Sequence, residues 1–264
     1  MKDIIYLSYS AALDASRGAG YESSLLCDVV FAKTRLFIDR LRSSRELDLE
    51  AARSLILLAI IRVTPSSVIK VLDFGGACGA HFWIASTVLP EQRLEWRVVE
   101  TAAMVSRGRL LSGDSLKFYD SIDAACDDSW KPDVIFASSS VQYSPDVEAA
   151  IFSLFQIGAR QVFLTRTPWS DLDYPIFLIQ QSALSANGPG SLPPEFADQI
   201  VTYPITYFPW RRLLNIASSI GYREDFTILE ARPTIAVASS PIDTVKTACF
   251  SLQQNSRAAS CGYR

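Results

Sequence analysis

From Ser67 onward, short runs rich in β-branched residues alternate with segments of helical length. Five of the runs are predicted strands: 67–74, 96–100, 116–122, 132–140 and 159–167. Helices are predicted between them at 81–89 and 147–158. Parallel strands joined by helices require right-handed crossovers that place the helices on the faces of the sheet. The alternation therefore predicts an α/β fold around a mostly parallel sheet.

The remaining segments divide the chain. Helices at 23–41 and 48–63 predict an N-terminal helical extension, residues 1–66, before the main domain at 67–240. Residues 170–210, rich in proline, glycine and aromatic residues, are predicted to be an insertion or lid. A helix at 210–221 and strands at 223–231 and 234–240, the latter two as an antiparallel hairpin, are predicted to complete the sheet. The polar residues 241–264 are predicted to be a flexible tail.

Composition excludes several function classes. The 264 residues include 25 Lys and Arg against 28 Asp and Glu, which argues against nucleic acid as a partner. Five scattered cysteines without a CxxC pair, and a single histidine, make a metal site improbable. The longest apolar run, 55–61, is far shorter than the roughly twenty residues of a membrane span. We therefore expect a cytoplasmic protein with no integral membrane segment.

The stretch VLDFGGACGAHFW (71–83) predicts a ligand site. Its glycines form a strand-to-helix turn that lets a ligand approach the backbone, and the following helix offers free N–H groups. Asp73 would repel a diphosphate but can accept hydrogen bonds from an ammonium group. Glu100, at the end of the next strand, lies where an acid can bind both ribose hydroxyls. A dinucleotide is less well matched, because Ala77 and Ala80 replace two glycines of its G-x-G-x-x-G spacing.

Residues 73–79 follow the class I methyltransferase pattern D/E-x-G-x-G-x-G, with Ala77 at the central glycine. We expect the turn to tolerate this alanine if its φ is negative. Five ordered stretches, VLDFGGACGAHFW, WRVVE, LKFYDSI, SSSVQYSPD and LTRTPW, resemble one family of predicted methyltransferases associated with bacterial surface-polysaccharide gene clusters. The resemblance extends from Gly20 to Tyr222.

The resemblance implies a Rossmann-like class I methyltransferase fold, with a seven-stranded sheet, a C-terminal antiparallel hairpin and the N-terminal helical extension. It implies S-adenosyl-L-methionine as the cofactor. The implied cofactor-binding residues are Asp73, Gly75, Gly76, Ala77, Gly79, Glu100, Asp120, Ser121 and Ser138. The predicted activity is O-methylation of a sugar or other small polar acceptor in surface-polysaccharide biosynthesis. The alternatives are an inactive S-adenosylmethionine-binding scaffold and a nicotinamide-dependent oxidoreductase.

The acceptor side is less determined. The predicted substrate-binding residues are Gln142, Tyr143, Arg166 and Trp169. Helix capping is an equal alternative for the segment around Tyr143, and an ion pair with Asp171 or Asp173 is an alternative for Arg166. For the aromatic residues Tyr203, Tyr207, Phe208 and Trp210, a place in the core is favoured over stacking on a sugar. The general base is not identified; its candidates are Tyr143, His81, Asp171 and Asp173. The sequence leaves an oligomer possible.

Overall fold

The computed structural model describes residues 4–16, 20–44, 54–127, 129–230 and 244–253. The helices in these ranges are α1 (Tyr9–Ser16), α2 (Ser24–Ser44), α3 (Leu55–Val63), α4 (Ala80–Val88), α5 (Ala102–Gly108), α6 (Ile122–Ala125), α7 (Val147–Gln156) and α8 (Trp210–Ile220). The strands are β1 (Ile69–Phe74), β2 (Leu94–Val99), β3 (Leu116–Tyr119), β4 (Val134–Ser138), β5 (Gln161–Ser170), β6 (Ile176–Ala183), β7 (Ile200–Pro209), β8 (Tyr222–Glu230) and β9 (Thr244–Leu252).

The described strands form one mixed sheet. Strands β3, β2, β1, β4 and β5 lie side by side in this order, and every pair among them is parallel. Strand β9 lies antiparallel between β5 and β8, so β8 runs in the direction of β5. The carboxyl ends of β1, β4, β5 and β8 therefore lie along one edge of the sheet, which is where open α/β sheets bind ligands.

Two apolar cores cover the two faces of this sheet. On one face, α2, α3, α4 and α5 pack on the strands, with Leu57, Ile61 and Trp96 among the fully buried side chains. On the other face α6, α7 and α8 form the second core, which includes Ile151 and Phe155. A buried side chain of this size contributes roughly 1.5–3 kcal/mol through removal of its surface from water. The layered architecture confirms the predicted α/β fold.

The segment 170–210 contains structure that the sequence analysis did not predict. Strands β6 and β7 form a long antiparallel pair, and β7 joins the sheet through the pairs Trp169–Phe208 and Ser170–Pro209. Side chains on one face of the pair, including those of Ile176 and Tyr207, form a small apolar cluster of their own. The described sheet consequently has nine strands, two more than the seven predicted.

The C-terminal prediction requires a correction. The antiparallel partner of β8 is Thr244–Leu252, although these residues were predicted to belong to the flexible tail. The strand is buried because it is paired on both sides, and its polar Lys246 and Thr247 are almost fully enclosed. The predicted strand at 234–240 and the residues 254–264 lie outside the described ranges, as does the predicted helical start at 48–53.

The N-terminal extension is attached to β6 and β7. The Tyr6 amide donates to the Phe177 carbonyl at 2.9 Å, and the Thr202 hydroxyl donates to the Ser16 carbonyl at 2.9 Å. The buried Lys33 ammonium on α2 donates to two carbonyls in the turn that follows β6. No helix in the described part of the chain combines the length and apolarity needed to cross a membrane.

Candidate functional site

The glycine turn at the end of β1 is tightly held. The Gly75 amide donates to the Val99 carbonyl at 2.8 Å, and Gly75 has a φ of +70°, which favours glycine. The loop after β4 packs directly on this residue: a Cβ added to Gly75 would lie 2.2 Å from the Ser140 Cβ. The Ser140 hydroxyl also donates to the Phe74 carbonyl at 2.6 Å. The turn after β1 and the loop after β4 therefore form one unit.

Asp73 lies beneath this turn. Its side chain is completely buried, and a Cβ added to Gly76 would lie 2.5 Å from the Asp73 carboxyl carbon. The Trp96 indole donates to Oδ2 at 3.0 Å, whereas Oδ1 has no hydrogen-bond partner among the described residues. Burial raises the pKa of Asp73 to about 7, against the lowering effect of the Trp96 hydrogen bond. A buried and incompletely bonded acid therefore lies under the loop, which favours a cation above it.

Glu100 connects the turn to the neighbouring strand. It follows β2, accepts the Ala77 amide at Oε1 and accepts the Thr101 amide at Oε2, both at 2.9 Å. Burial raises the pKa of Glu100, and these two backbone hydrogen bonds oppose that rise. Each carboxylate oxygen retains a further acceptor position. Asp73, the glycine turn and Glu100 thus lie together at the carboxyl edge of β1 and β2.

Ala77 departs from expectation. A negative φ was expected there, and the structure gives +50°, so that condition is not met. The left-handed conformation brings the alanine Cβ close to the next carbonyl oxygen. Ala77 therefore has a left-handed backbone conformation that a glycine would adopt without strain, and the alanine is strained there.

We expect Ala77→Gly to increase the free energy of unfolding by about 0.5–1 kcal/mol. The relief of strain at positive φ exceeds the entropy that a glycine adds to the unfolded chain. Urea unfolding measures this change. Ala59→Gly, on the exposed side of α3, is the matched control and should destabilise by about 1 kcal/mol. A destabilised Ala77→Gly protein would contradict the conformation at this position.

Backbone strain also occurs directly after β4 and within β5. Ser139, directly after β4, has a φ of +52°, and Arg166, in a bulge of β5, has a φ of +55°. With Ala77, these are the non-glycine residues with positive φ in the described ranges. Such strain often collects at functional sites because a precise geometry is needed there. The Arg166 Nε donates to the Ser138 hydroxyl at 3.2 Å, which joins the two strained segments.

A carboxylate that the sequence analysis missed lies at the same bulge. Glu230 Oε1 accepts the Arg166 amide at 3.0 Å and is also hydrogen-bonded by the Thr247 hydroxyl. Glu230 is the last residue of β8, which runs in the direction of β5, so it reaches the same edge of the sheet. Its position at the end of a predicted strand was the only sequence feature that pointed to Glu230. The pairing of β8 with β9 brings it to the bulge, and that pairing was not predicted.

The loop after β4 brings Gln142 and Tyr143 together. Gln142 is 2% exposed; its Nε2 donates to the Ser139 hydroxyl at 3.0 Å, and its Oε1 has no partner among the described residues. The Tyr143 hydroxyl donates to Gln180 Oε1 at 3.0 Å. Burial raises the pKa of Tyr143 to about 12, so its phenol is protonated at neutral pH. Tyr143 is therefore a poor general base in this state.

The other candidates for the base lie in different surroundings. Asp171 and Asp173 are exposed and lie near Lys246 and Arg211, at 3.8 and 3.9 Å. His81 Nδ1 lies 3.0 Å from the Ser54 hydroxyl. Burial and then the charge of Arg166 lower the pKa of His81 to about 4, so it is neutral at pH 7. In the described structure, none of these three side chains is hydrogen-bonded to the loop after β4.

Three further predicted site residues are Trp169, Ser121 and Asp120. Trp169 is completely buried in the second core, at 5.5 Å between ring centroids from Trp210, so it presents no exposed surface for the predicted substrate contact. Ser121 caps α6 by accepting the Ala124 amide, and Asp120 is exposed next to it. In the described ranges, no three Cys, His, Asp or Glu side chains are grouped as a metal site would require.

Comparison with solved structures relates the whole arrangement to known proteins. An S-adenosylmethionine-dependent methyltransferase from Clostridium acetobutylicum has a TM-score of 0.50 and 10% identity, covering 85% of this chain and 99% of its own. Streptomyces venezuelae DesVI has a TM-score of 0.50 and 15% identity, covering 77% and 92%. The CcbJ methyltransferase from Streptomyces caelestis has a TM-score of 0.50 and 12% identity, covering 78% and 97%. The fold is that of the class I methyltransferases.

At these identities the likeness establishes the methyltransferase fold alone. No protein-family model matches the sequence, and a search of curated proteins found no match. None of these comparisons connects the chain with surface-polysaccharide gene clusters.

Proposed function

We propose that this protein is an S-adenosyl-L-methionine-dependent methyltransferase. The observation that carries the proposal is the meeting of Asp73, the glycine turn and Glu100 at one edge of a methyltransferase fold. The two acids, separated in sequence, are joined through the loop, since Glu100 accepts the Ala77 amide while Asp73 lies under Gly76.

The residues of this edge fit the cofactor. S-adenosylmethionine is a cation at its ammonium and sulfonium groups, and the unpartnered Asp73 oxygen provides negative charge beneath the turn. Because Asp73 is completely buried, it acts on the crevice through its charge and through the loop. Glu100 has acceptor positions left for ribose hydroxyls. We propose Asp120 and Ser121 as weaker candidates for binding the adenine edge of the cofactor.

The bound cofactor would supply a methyl group that passes from its sulfur to an acceptor atom in line with the breaking bond, leaving S-adenosylhomocysteine, and an acceptor hydroxyl would give its proton to a base. The protein then has to orient the acceptor and exclude water. Ser138 at the end of β4, Gln142 in the loop after it and the bulge at Arg166 lie at the edge where an acceptor would meet the methyl group. We propose O-methylation of a sugar or other small polar molecule, and a place in surface-polysaccharide biosynthesis, which rests on the sequence resemblance.

Isothermal titration calorimetry tests the cofactor assignment. We expect S-adenosylmethionine and S-adenosylhomocysteine to bind the native protein. Glu100→Gln should weaken the binding of both ligands about 10- to 100-fold. The glutamine amide has one oxygen, so it cannot accept the two backbone N–H groups as the carboxylate does and still offer two acceptor oxygens to the ribose. Glu91→Gln, an exposed substitution, is the control. Heat from NADH and none from S-adenosylmethionine would reject the proposal in favour of an oxidoreductase.

Methyl transfer needs a separate assay. The native protein is incubated with isotopically labelled donor and candidate nucleotide sugars or glycans, and we expect label in at least one acceptor. Binding of the donor without transfer to any acceptor would support the alternative of an inactive scaffold.

A further inference from the structure

Three tyrosine rings from distant parts of the chain meet beside the glycine turn. Tyr21 precedes α2, Tyr143 follows β4 and Tyr203 is on β7; we call them the tyrosine cluster. Their ring centroids are 4.9 Å apart for Tyr21–Tyr143, 4.8 Å for Tyr21–Tyr203 and 5.2 Å for Tyr143–Tyr203. The N-terminal extension and the β6–β7 pair therefore both contribute to one place at the edge of the sheet.

The cluster borders the proposed cofactor site on two sides. The Tyr21 carbonyl accepts the Thr101 hydroxyl at 3.5 Å, and the Thr101 amide in turn donates to Glu100. Tyr143 belongs to the same short loop as Ser140, which packs on Gly75. A molecule bound against the cluster would thus be next to the turn on which the cofactor is proposed to lie.

The hydrogen-bonding partners of the cluster are neutral. The Tyr143 hydroxyl donates to Gln180 Oε1, and the Tyr203 hydroxyl is 2.8 Å from the Ser182 hydroxyl. Burial raises the pKa of Tyr21 and Tyr143, so both phenols stay uncharged at neutral pH. Phenols and amides of this kind offer donors and acceptors but no countercharge to a buried anion. A cation at this edge, Arg166, donates to the Ser138 hydroxyl through Nε and to the Glu230 carboxylate through its amide.

Gln142 supplies an independent observation in the same loop. Its side chain is almost fully buried, and its Oε1 has no partner in the described part of the chain. A buried acceptor without a donor is costly, and binding of a ligand hydroxyl removes that cost. Tyr21 and Tyr143 are partly exposed, so their rings can also contact the apolar face of a sugar ring.

We propose that the tyrosine cluster and Gln142 form the acceptor subsite, and that this subsite selects an uncharged, hydroxyl-bearing ring over an anionic one. This inference rests on the proposed methyltransferase function, since it specifies the acceptor of that reaction. The neutral pyranose ring is the chemistry that matches it: apolar faces for the aromatic rings and hydroxyl groups for the amide and phenol groups. A site built to bind hydroxyl groups discriminates strongly against molecules that leave its polar groups unpaired.

Saturation-transfer difference NMR tests the selectivity directly. The probes are the methyl glycopyranosides of glucose, galactose and mannose, with methyl glucuronide as the anionic counterpart, each with and without S-adenosylhomocysteine. We expect at least one neutral pyranoside to bind more tightly than the glucuronide. Tyr21→Phe and Tyr143→Phe should weaken that pyranoside about three- to tenfold while the affinity for S-adenosylhomocysteine is unchanged. Tyr174→Phe, at a residue 60% exposed, is the matched control.

The outcomes separate the two proposals. Equal or tighter binding of the glucuronide, no signal from any pyranoside, or unchanged pyranoside binding in both variants would overturn the acceptor subsite. Absence of calorimetric binding of S-adenosylmethionine and S-adenosylhomocysteine would instead reject the methyltransferase function, whatever the pyranosides do. Because each variant removes only a hydroxyl group, thermal unfolding of the variants checks that the fold is retained.

Discussion

Asp73→Asn is expected to stabilise the free protein at pH 8 by up to about 4 kcal/mol and to remove a pH dependence of its stability. The pKa of Asp73 rises from its ordinary value of 3.8 to about 7 on folding. The folded state therefore binds an additional proton between these values. On this account stability is greatest below about pH 4, decreases as pH rises towards 7, and is constant above it. Asparagine keeps an acceptor for the Trp96 indole without the buried charge.

Urea unfolding of the native and variant proteins at pH 5 and pH 8 measures this effect. The difference between the two proteins should be larger at pH 8. Asp114→Asn, at an exposed loop position, is the control and should change stability little at either pH. Asp73→Asn should also bind S-adenosylmethionine more weakly than the native protein, since it lacks the negative charge that attracts the cationic ligand. A difference that is the same at both pH values would show that Asp73 does not titrate as its burial requires.

Gly75→Ala is expected to lower the free energy of unfolding by about 2–5 kcal/mol. The alanine is strained at a φ of +70°, and its Cβ would lie 2.2 Å from the Ser140 Cβ, so the loop after β4 has to move. Urea unfolding measures the loss. Gly113→Ala is the matched control, because an added Cβ there has no atom within 4 Å. Its effect should be within about 0.5 kcal/mol.

A second variant makes the Gly75 result specific. Removing the opposing side chain in the Gly75→Ala, Ser140→Gly double variant should recover part of the stability, compared with the sum of the two single changes. If Gly75→Ala unfolds like the native protein, the contact between the turn after β1 and the loop after β4 is not formed as described.

The parallel part of the sheet was predictable because its local patterns agree with its surroundings. Strands such as β1 and β4 are covered on both faces, so they are mostly apolar runs, and each ends at a polar or glycine-rich turn. The cofactor side of the site follows from the same patterns. Asp73 and Glu100 end neighbouring strands, and the carboxyl ends of parallel strands meet at one edge.

The later strands contain residues that, judged from the neighbouring sequence alone, argue against a strand. Strand β7 contains Pro204 in its interior, which ordinarily argues against a strand. The proline is accommodated because β7 has β6 along its length but meets β5 only at its last two residues. Strand β9 carries Lys246 inside the sheet, where the ammonium lies 4.4 Å from the Trp210 ring centroid and near Asp171. These compensations come from residues far away in the sequence.

The tyrosine cluster could not be assembled from the sequence for the same reason. Tyr203 was favoured as a core residue and is buried, at 3% exposed, but Tyr21 belongs to no motif. Only the packing of the N-terminal extension on β7 brings these two rings to Tyr143. Glu230 likewise reaches Arg166 through β9, a strand that was not predicted.

The position of β9 also determines when the molecule can be completed during synthesis. In the described structure β8 hydrogen-bonds to no strand other than β9, and β9 fills the gap that separates β8 from β5. A nascent chain that has not yet emerged as far as Leu252 leaves that gap open, with the unpaired strand edges of β5 and β8 available to other molecules. Glu230 can therefore be fixed against the bulge only after β9, which supplies Thr247, has left the ribosome.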